Sequence, residues 1–230
     1  MKVIEILKKS AQHIPVVRTV AGKMYARLLV RQFSGSEQYW IERYGKGGNS
    51  GRGSYNKLAE FKADVLNNFV KEHDVKSVIE YGCGDGNQLS LTTYERYIGF
   101  DVSLVALSRC KRIFQNDGTK SFKLMNDYNA ETAELTLSLD VVYHLIEDEV
   151  FESYMRRLFD SSTRFVLIYS SNRSEQDRIP VPHVKHRKFT AWVDEHIHGW
   201  RLIRHIPNRY PYTDNNEEES FADFYIYEKA

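Results

Sequence analysis

The chain lacks most of the residue patterns that would make it a stapled, membrane-spanning or nucleic-acid-coating protein. It has two cysteines, Cys83 and Cys110, and five prolines in 230 residues. Two cysteines cannot build a disulfide framework, and these two have no metal-ligand spacing, so a reducing compartment, the cytoplasm, is the expectation and no metal is expected. No run approaches the roughly eighteen apolar residues of a membrane span, and the first residues lack the uninterrupted apolar stretch of a signal peptide. There is no excess of one charge either: 32 basic side chains face 31 acidic ones, a net charge of +1. Without a basic field or clustered Lys and Arg, no nucleic-acid partner is expected. No internal repeat is evident, and the length suits one well-buried core.

What is there concentrates between Val78 and Leu89. Val78 and Ile79 suit a buried parallel strand, and Gly82, Gly84 and Gly86 follow at alternate positions. Glycines there admit positive φ and let main-chain N–H groups approach a ligand. A dinucleotide turn would have Gly-x-Gly-x-x-Gly and a phosphate loop Gly-Lys-Ser/Thr; neither is present. A second short apolar strand ends at Asp101, followed by Val102, about twenty residues after the first glycine, where a carboxylate accepts ribose hydroxyls. A third strand, Ser121 to Met125, runs to Asp127. A fourth, Leu135 to Leu139, leads into Asp140-Val141-Val142-Tyr143-His144.

These four elements in this order resemble the motifs of class I S-adenosylmethionine-dependent methyltransferases. The resemblance implies that Glu80, Gly82, Cys83, Gly84 and Gly86 wrap the methionine part of the cofactor, Asp101 and Val102 the ribose, and Asp127 the adenine amino group. It also places Leu139 and Asp140 beside sulfonium and acceptor. The segment Tyr39 to Tyr55, followed by Lys57 to Ala63, is further similar to a bacterial subgroup found near glycan-assembly functions.

Residues 1–33 carry Lys2, Lys8, Lys9, Arg18, Lys23, Arg27 and Arg31 against Glu5, interleaved with apolar residues. That basic amphipathic pattern fits either docking to an anionic inner-membrane face or partner enzyme, or a helical cap on its own domain. Residues 45–54 are glycine- and serine-rich, a loop flanked by Tyr39, Trp40, Arg43, Tyr44 and Tyr55. Either it is a plain connector or a lid in which Arg43 pairs with the cofactor carboxylate and a ring such as Tyr44 faces the sulfonium. Apolar residues from Leu58 to Val70 recur at three- and four-residue steps and predict a packing helix over 55–72. Beyond it the pattern predicts strands at 76–81, 97–100, 121–125, 134–139, 164–169, 200–207 and 221–228. Helices are predicted from Gln88, over 103–114, 148–160 and 189–197, the last capped by Thr190. This alternation predicts an α/β fold: a doubly wound, mostly parallel seven-stranded sheet in three α/β/α layers, with an antiparallel C-terminal hairpin. Residues 1–54 then form an N-terminal helical segment and lid, and 55–230 the main domain.

Chemistry converges at the end of the fourth strand. His144 is the candidate general base, since an imidazole titrates near neutral pH; its alternative role is to shape the pocket by bonding a neighbouring loop. Asp140 either orients it, lines the acceptor pocket or touches the cofactor, and Tyr143 stands beside them. His183, His186 and Arg187 form a second cluster for the acceptor; no matching ligand set makes the two histidines a metal pair. The reading is methyl transfer from S-adenosyl-L-methionine, with S-adenosyl-L-homocysteine as product. The acceptor is an oxygen, or second a nitrogen, of a small molecule or glycan, with an aromatic or lipid-linked metabolite as alternative. The rival from another class is a non-catalytic partner subunit on the same fold.

Overall fold

The computed structural model describes residues 33–176, 181–213 and 219–230. The basic segment expected over 1–33 lies, apart from Phe33, outside the described residues. Helix α1 spans Ser36–Gly45 and is followed by a loop with one 3-10 turn, Arg52–Ser54; α2 spans Asn56–Glu72. Then come β1 (Val78–Tyr81), β2 (Tyr97–Asp101), α3 (Leu104–Ile113), β3 (Lys120–Leu124) and β4 (Ala133–Leu139). The remainder is α4 (Asp148–Asp160), β5 (Ser162–Ser170), α5 (Phe189–His196), β6 (Trp200–Ile206) and β7 (Asp223–Lys229).

The strands form one seven-stranded sheet in the order β3-β2-β1-β4-β5-β7-β6. The first five are parallel, and β7 runs antiparallel between β5 and β6. Central strands are buried along nearly their whole length because helices cover both faces. Phe61, Leu66 and Phe69 of α2 and Leu107 and Cys110 of α3 pack on one face. Phe151, Met155, Leu158 of α4 and Phe189, Val193 of α5 pack on the other. The alternation Leu135-Thr136-Leu137-Ser138-Leu139 follows from this. Its leucines meet the α2 side, while Thr136 donates to the Leu158 carbonyl and Ser138 meets the Tyr154 hydroxyl, so the buried polar groups are satisfied. The outer strands carry the charge: Lys120 and Lys123 on β3, Arg201 and Arg204 on β6, which discourages pairing with another sheet.

Three local expectations change. After the glycine turn there is only a 3-10 turn, Leu89–Leu91, because the Ser90 and Thr92 hydroxyls take the Asn87 and Leu89 carbonyls that a helix would use. Residues 36–45, read as the flank of a lid, form a helix. Thr190 does not cap α5; instead Asn172, just past β5, accepts its main-chain N–H at 3.2 Å.

The link from β3 to β4 has no α-helix: residues 125–132 cross β2 and β1 to the start of β4 with only one 3-10 turn, Met125–Asp127. Tyr128 takes part in covering that face: its ring lies 5.8 Å from Phe100 and 6.2 Å from Tyr81, with the Arg157 guanidinium 5.0 Å from its centroid. Tyr128→Ala is expected to lower the urea-unfolding stability by about 2 kcal/mol, whereas the exposed Tyr212→Ala stays within about 0.5 kcal/mol; equal effects would contradict the covering role.

Candidate active site

A cavity of about 410 Å³ opens at the carboxyl ends of β1, β2 and β4, the edge at which open parallel sheets bind ligands. Its wall includes Glu80, Gly82, Cys83, Gly84, Asp101, Val102, Leu139, Asp140, Tyr44 and His144. Ten separate sequence expectations thus meet in one space.

The glycine turn lies so close to the loops around it that no side chain fits. Gly82 and Gly84 have φ of +82° and +60°; a Cβ on the first would overlap Val141, and on the second Ser50 Oγ. Gly86 instead lies against α3, where a Cβ would come within 3.1 Å of Cys110 Sγ, so it serves packing and is absent from the wall. Asp101 Oδ2 accepts the Gly84 N–H at 2.9 Å and Oδ1 the Ser103 N–H at 2.8 Å, which ties the turn to the second strand. Burial raises its carboxyl to about 6. Burial likewise raises Glu80 to about 7, although the Tyr97 hydroxyl donates to it at 2.6 Å. Contact with Cys110 and burial push the Cys83 thiol up, so it is a protonated wall group.

The loop after α1 is fastened over the turn. Ser50 N–H donates to Asp85 Oδ2 and Ser50 Oγ accepts the Asp85 N–H, both at 3.0 Å. Tyr44 and Ser50 share a hydroxyl contact of 2.9 Å, and Tyr55 donates to Asp85 Oδ2 at 2.7 Å. Burial alone would raise the Asp85 carboxyl, but these donors bring it below its usual value. Arg109 of α3 holds the Gly48 carbonyl at 2.6 Å. At the other end of α1, Ser36 gives its N–H and hydroxyl to the two oxygens of Glu147, at 3.0 and 2.6 Å. Tyr44 therefore reaches the cavity, while Arg43 is outside its wall, bonded to the Asn49 carbonyl at 2.8 Å and lying 5.6 Å from the Trp40 ring. Trp40 lines the cavity and meets His144 edge-on at 5.0 Å.

His144 is neutral. Its Nδ1 lies 2.6 Å from the His183 carbonyl, which only accepts, so Nδ1 carries the proton and Nε2 a lone pair. Burial lowers the ring to about 4. Asp140 does not orient it. The Asp140 carboxylate is held by Lys62 Nζ at 2.6 Å and the Tyr143 hydroxyl at 2.8 Å, with its own φ at +60°. Tyr143 serves Asp140 and is not in the cavity wall. Lys62, whose side chain is fully buried, also lies 5.2 Å from the Tyr169 ring centroid. The sequence held a signal for it: Lys62 stands four residues from Leu58 and from Leu66, on the apolar stripe of α2.

Other candidates fall elsewhere. Asp127 is exposed, and the 3-10 turn Met125–Asp127 brings Met125 and Asn126 to the wall instead. His183 stacks between Tyr39 at 4.3 Å and His144 at 5.4 Å. His186 is buried with Nδ1 2.7 Å from Ser171 Oγ and Nε2 2.8 Å from Arg173. Arg187 grips Asp148 Oδ1 at 2.7 Å and the Ile146 carbonyl at 2.9 Å. None of these four lines the cavity; His183 packs on its lining residue His144, and His186 and Arg187 are taken up by their own hydrogen bonds. Among the described residues no helix is long and apolar enough to cross a membrane.

Breaking a buried pair strands one charge, so Lys62→Met and Asp140→Asn are each expected to cost about 3–5 kcal/mol of unfolding free energy. The double variant is expected to cost clearly less than the sum; additivity in urea titrations would show that the two do not act as a pair.

No protein-family model and no curated protein matches the sequence. Solved structures do match. The N-methyltransferase NodS from Bradyrhizobium japonicum WM9, crystallised with S-adenosylhomocysteine, superposes with TM-score 0.66 at 12% identity over 85% of this chain and 99% of that one. Magnesium protoporphyrin IX methyltransferase from Synechocystis PCC 6803, also with S-adenosylhomocysteine, gives 0.61 at 12% identity over 89% and 100%. The methyltransferase domain of bacterial CtHen1 gives 0.59 at 19% identity over 75% and 99%. The seven-stranded sheet with its antiparallel β7 is the fold of these S-adenosylmethionine-dependent methyltransferases.

Proposed function

We propose that this chain is an S-adenosyl-L-methionine-dependent methyltransferase acting on an oxygen, or second a nitrogen, of a small molecule or glycan. The observation that carries it is the single cavity in which the glycine cradle, Asp101 and the His144 loop meet. The residues fit that cofactor. Gly82 and Gly84 bring main chain into the cavity wall, Asp101 offers a carboxylate to ribose, and Val102, Met125 and Leu139 give apolar surface beside the polar Asn126. When bound, the cofactor supplies an electrophilic methyl group on a sulfonium and leaves as S-adenosyl-L-homocysteine.

The chain's own residues then have three tasks. Trp40 and Tyr44 bring aromatic surface to a cationic ligand, while the Ser50 and Glu147 latches hold them over the site and exclude water. Asp140, neutralised by Lys62, fixes the main chain that presents His144. His144 holds no proton on Nε2 at neutral pH, so it stands ready to accept one from the acceptor. A base of such low pKa removes little from a resting hydroxyl, but an acceptor atom becomes strongly acidic as it is methylated, and proton removal late in the step suits the imidazole. The preference for a glycan rests on the subgroup resemblance of residues 39–63 and on the aromatic and polar groups around the roof.

The decisive test is calorimetric titration with S-adenosyl-L-methionine and S-adenosyl-L-homocysteine. Micromolar binding that Asp101→Ala weakens by more than about tenfold is expected; no binding of either by the wild type would sink the reading. In assays with methyl-labelled cofactor and a panel of hydroxyl and amine acceptors, His144→Ala is expected to lower kcat by about a hundredfold or more while leaving cofactor affinity intact. An unchanged kcat would make positioning alone the mechanism.

The raised carboxyls set a pH dependence. Asp101 near 6 and Glu80 near 7 lie above their values in an unfolded chain, so their contribution to stability is present below about pH 4 and is lost as the pH rises through 6 and 7. A cationic ligand favours the ionised forms. Affinity for S-adenosyl-L-methionine is therefore expected to rise across that window, with proton release measurable in buffers of different ionisation enthalpy; a flat profile would mean these groups do not feel the ligand's charge.

A further inference from the structure

Residues 183–187 run as a strap beside residues 143–146, and the two segments are bonded along their length. The His183 carbonyl accepts the His144 Nδ1–H at 2.6 Å. The Lys185 main-chain N–H donates to the Tyr143 carbonyl at 2.8 Å. Arg187 then reaches past His144: its Nη1 donates to the Leu145 carbonyl at 2.5 Å and its Nη2 to the Ile146 carbonyl at 2.9 Å. One guanidinium thus holds both residues that follow His144, a grip suited to a planar fork and not to a single ammonium. The Arg187 side chain is 13% exposed and its guanidinium carbon lies 4.6 Å from the Phe151 ring centroid, so the contact is built into the packing. Its ion pair with Asp148, which is 67% exposed, adds little.

What depends on this register is the proton of His144. A neutral imidazole in water carries its proton preferentially on Nε2, and a hydrogen bond at the other nitrogen is what overrides that preference. Here the override is a main-chain carbonyl, which only accepts and so keeps the proton on Nδ1. His144 lines the cavity, and with Nδ1 turned to the strap its Nε2 is the nitrogen left for an acceptor. Because the bond comes from the backbone of His183 and not from its ring, the carbonyl stands wherever the strap is held. A hydrogen bond weakens steeply as its angle and length depart from the optimum, so a small slip of the strap would lose it. Resting on the reading of His144 as proton acceptor, we propose that Arg187 is a positioning residue for that step: by pinning residues 145 and 146 to the strap it keeps the His183 carbonyl against Nδ1 and leaves Nε2 bare. Without it, the same ring in the same cavity would present an N–H to the acceptor and could not take its proton. The arginine that the sequence offered as an acceptor ligand then serves the reaction from outside the cavity wall.

The test is nitrogen NMR of the full chain at neutral pH, which tells a protonated ring nitrogen from a bare one. The chain has eight histidines, so the His144 signals are identified by their loss in His144→Asn. In the wild type Nδ1 is expected to be protonated and Nε2 bare. In Arg187→Met, which keeps an apolar stem and has no donors, a large share of His144 is expected in the Nε2–H form. Its kcat with the panel of hydroxyl and amine acceptors is expected to fall about tenfold or more, with affinity for S-adenosyl-L-homocysteine unchanged. Arg187→Lys, which keeps the charge but cannot span both carbonyls, is expected to lie between the two and stands in if the Met variant does not fold. An unchanged His144 tautomer in the folded variants would overturn the inference while leaving the reading of His144 intact, and so would a shifted tautomer with unchanged kcat. Loss of S-adenosyl-L-homocysteine binding in step with kcat would also overturn it, since that marks a disturbance of the whole site. A wild type that carries the proton on Nε2 would overturn the reading of His144 as proton acceptor and this inference with it. Failure of the wild type to bind S-adenosyl-L-homocysteine would overturn the cofactor reading and remove the step that Arg187 serves, whatever the tautomer.

Discussion

Asp140 is where the structure is held together, and Lys62 is what allows it to be there. A carboxylate at the end of β4 in a left-handed conformation faces the Gly53 backbone of the lid loop on one side and the Tyr143 hydroxyl on another. Unpaired, it would be a largely buried charge without compensation. The ammonium of Lys62, reaching through the core from α2, supplies that compensation at 2.6 Å, and the Tyr169 ring of β5 lies beside it. Four segments distant in sequence, α2, the lid loop, the β4 loop and β5, are thereby placed relative to one charge pair. Its net contribution to stability need not be large for this to matter, because desolvating two charges offsets much of their attraction. What it gives is one arrangement in preference to others.

From that point the site closes in two directions. Toward the glycine turn, Ser50 and Asp85 exchange donors and acceptors, so that lid and turn are bonded to each other through complementary pairs. Toward α4, Ser36 and Glu147 dock the start of α1 on the loop that follows His144. Between them the rings of Trp40, His144, His183 and Tyr39 make a continuous roof. The residues described from the N-terminal part therefore pack as part of the site's enclosure. The missing helix between β3 and β4 leaves the opposite flank thin: the cavity reaches α4 itself, at Glu149, Ser153 and Arg157.

Much of this was legible in the sequence where the physics is local. A buried strand, a glycine turn and an acidic strand end need only neighbours a few residues away, and the alternation of periods gave strand and helix boundaries within a few residues; the span 148–160 agrees end to end. What failed depended on direction or distance. Asp127 lies outside the cavity wall, because a 3-10 turn rotates side chains by a third of a circle per residue and brings Asn126 there. His186 and Arg187 read as ligand groups because nothing local reveals that Ser171, Arg173 and Asp148 are waiting for them. Lys62 sits inside a packing helix, and a lysine on an apolar stripe signals a buried anion elsewhere in the fold, here Asp140.

Two carboxylates, Glu80 and Asp101, are kept in the cavity wall under conditions that disfavour their ionisation. A cation settling there relieves that penalty, and whatever binds only the folded state shifts the folding equilibrium by mass action. The pool of folded molecules is then tied to the supply of the ligand. When the ligand is scarce, a larger share of chains passes through open forms, where cellular proteases act. A ligand that relieves the two acids would in this way also protect the chain from proteolysis.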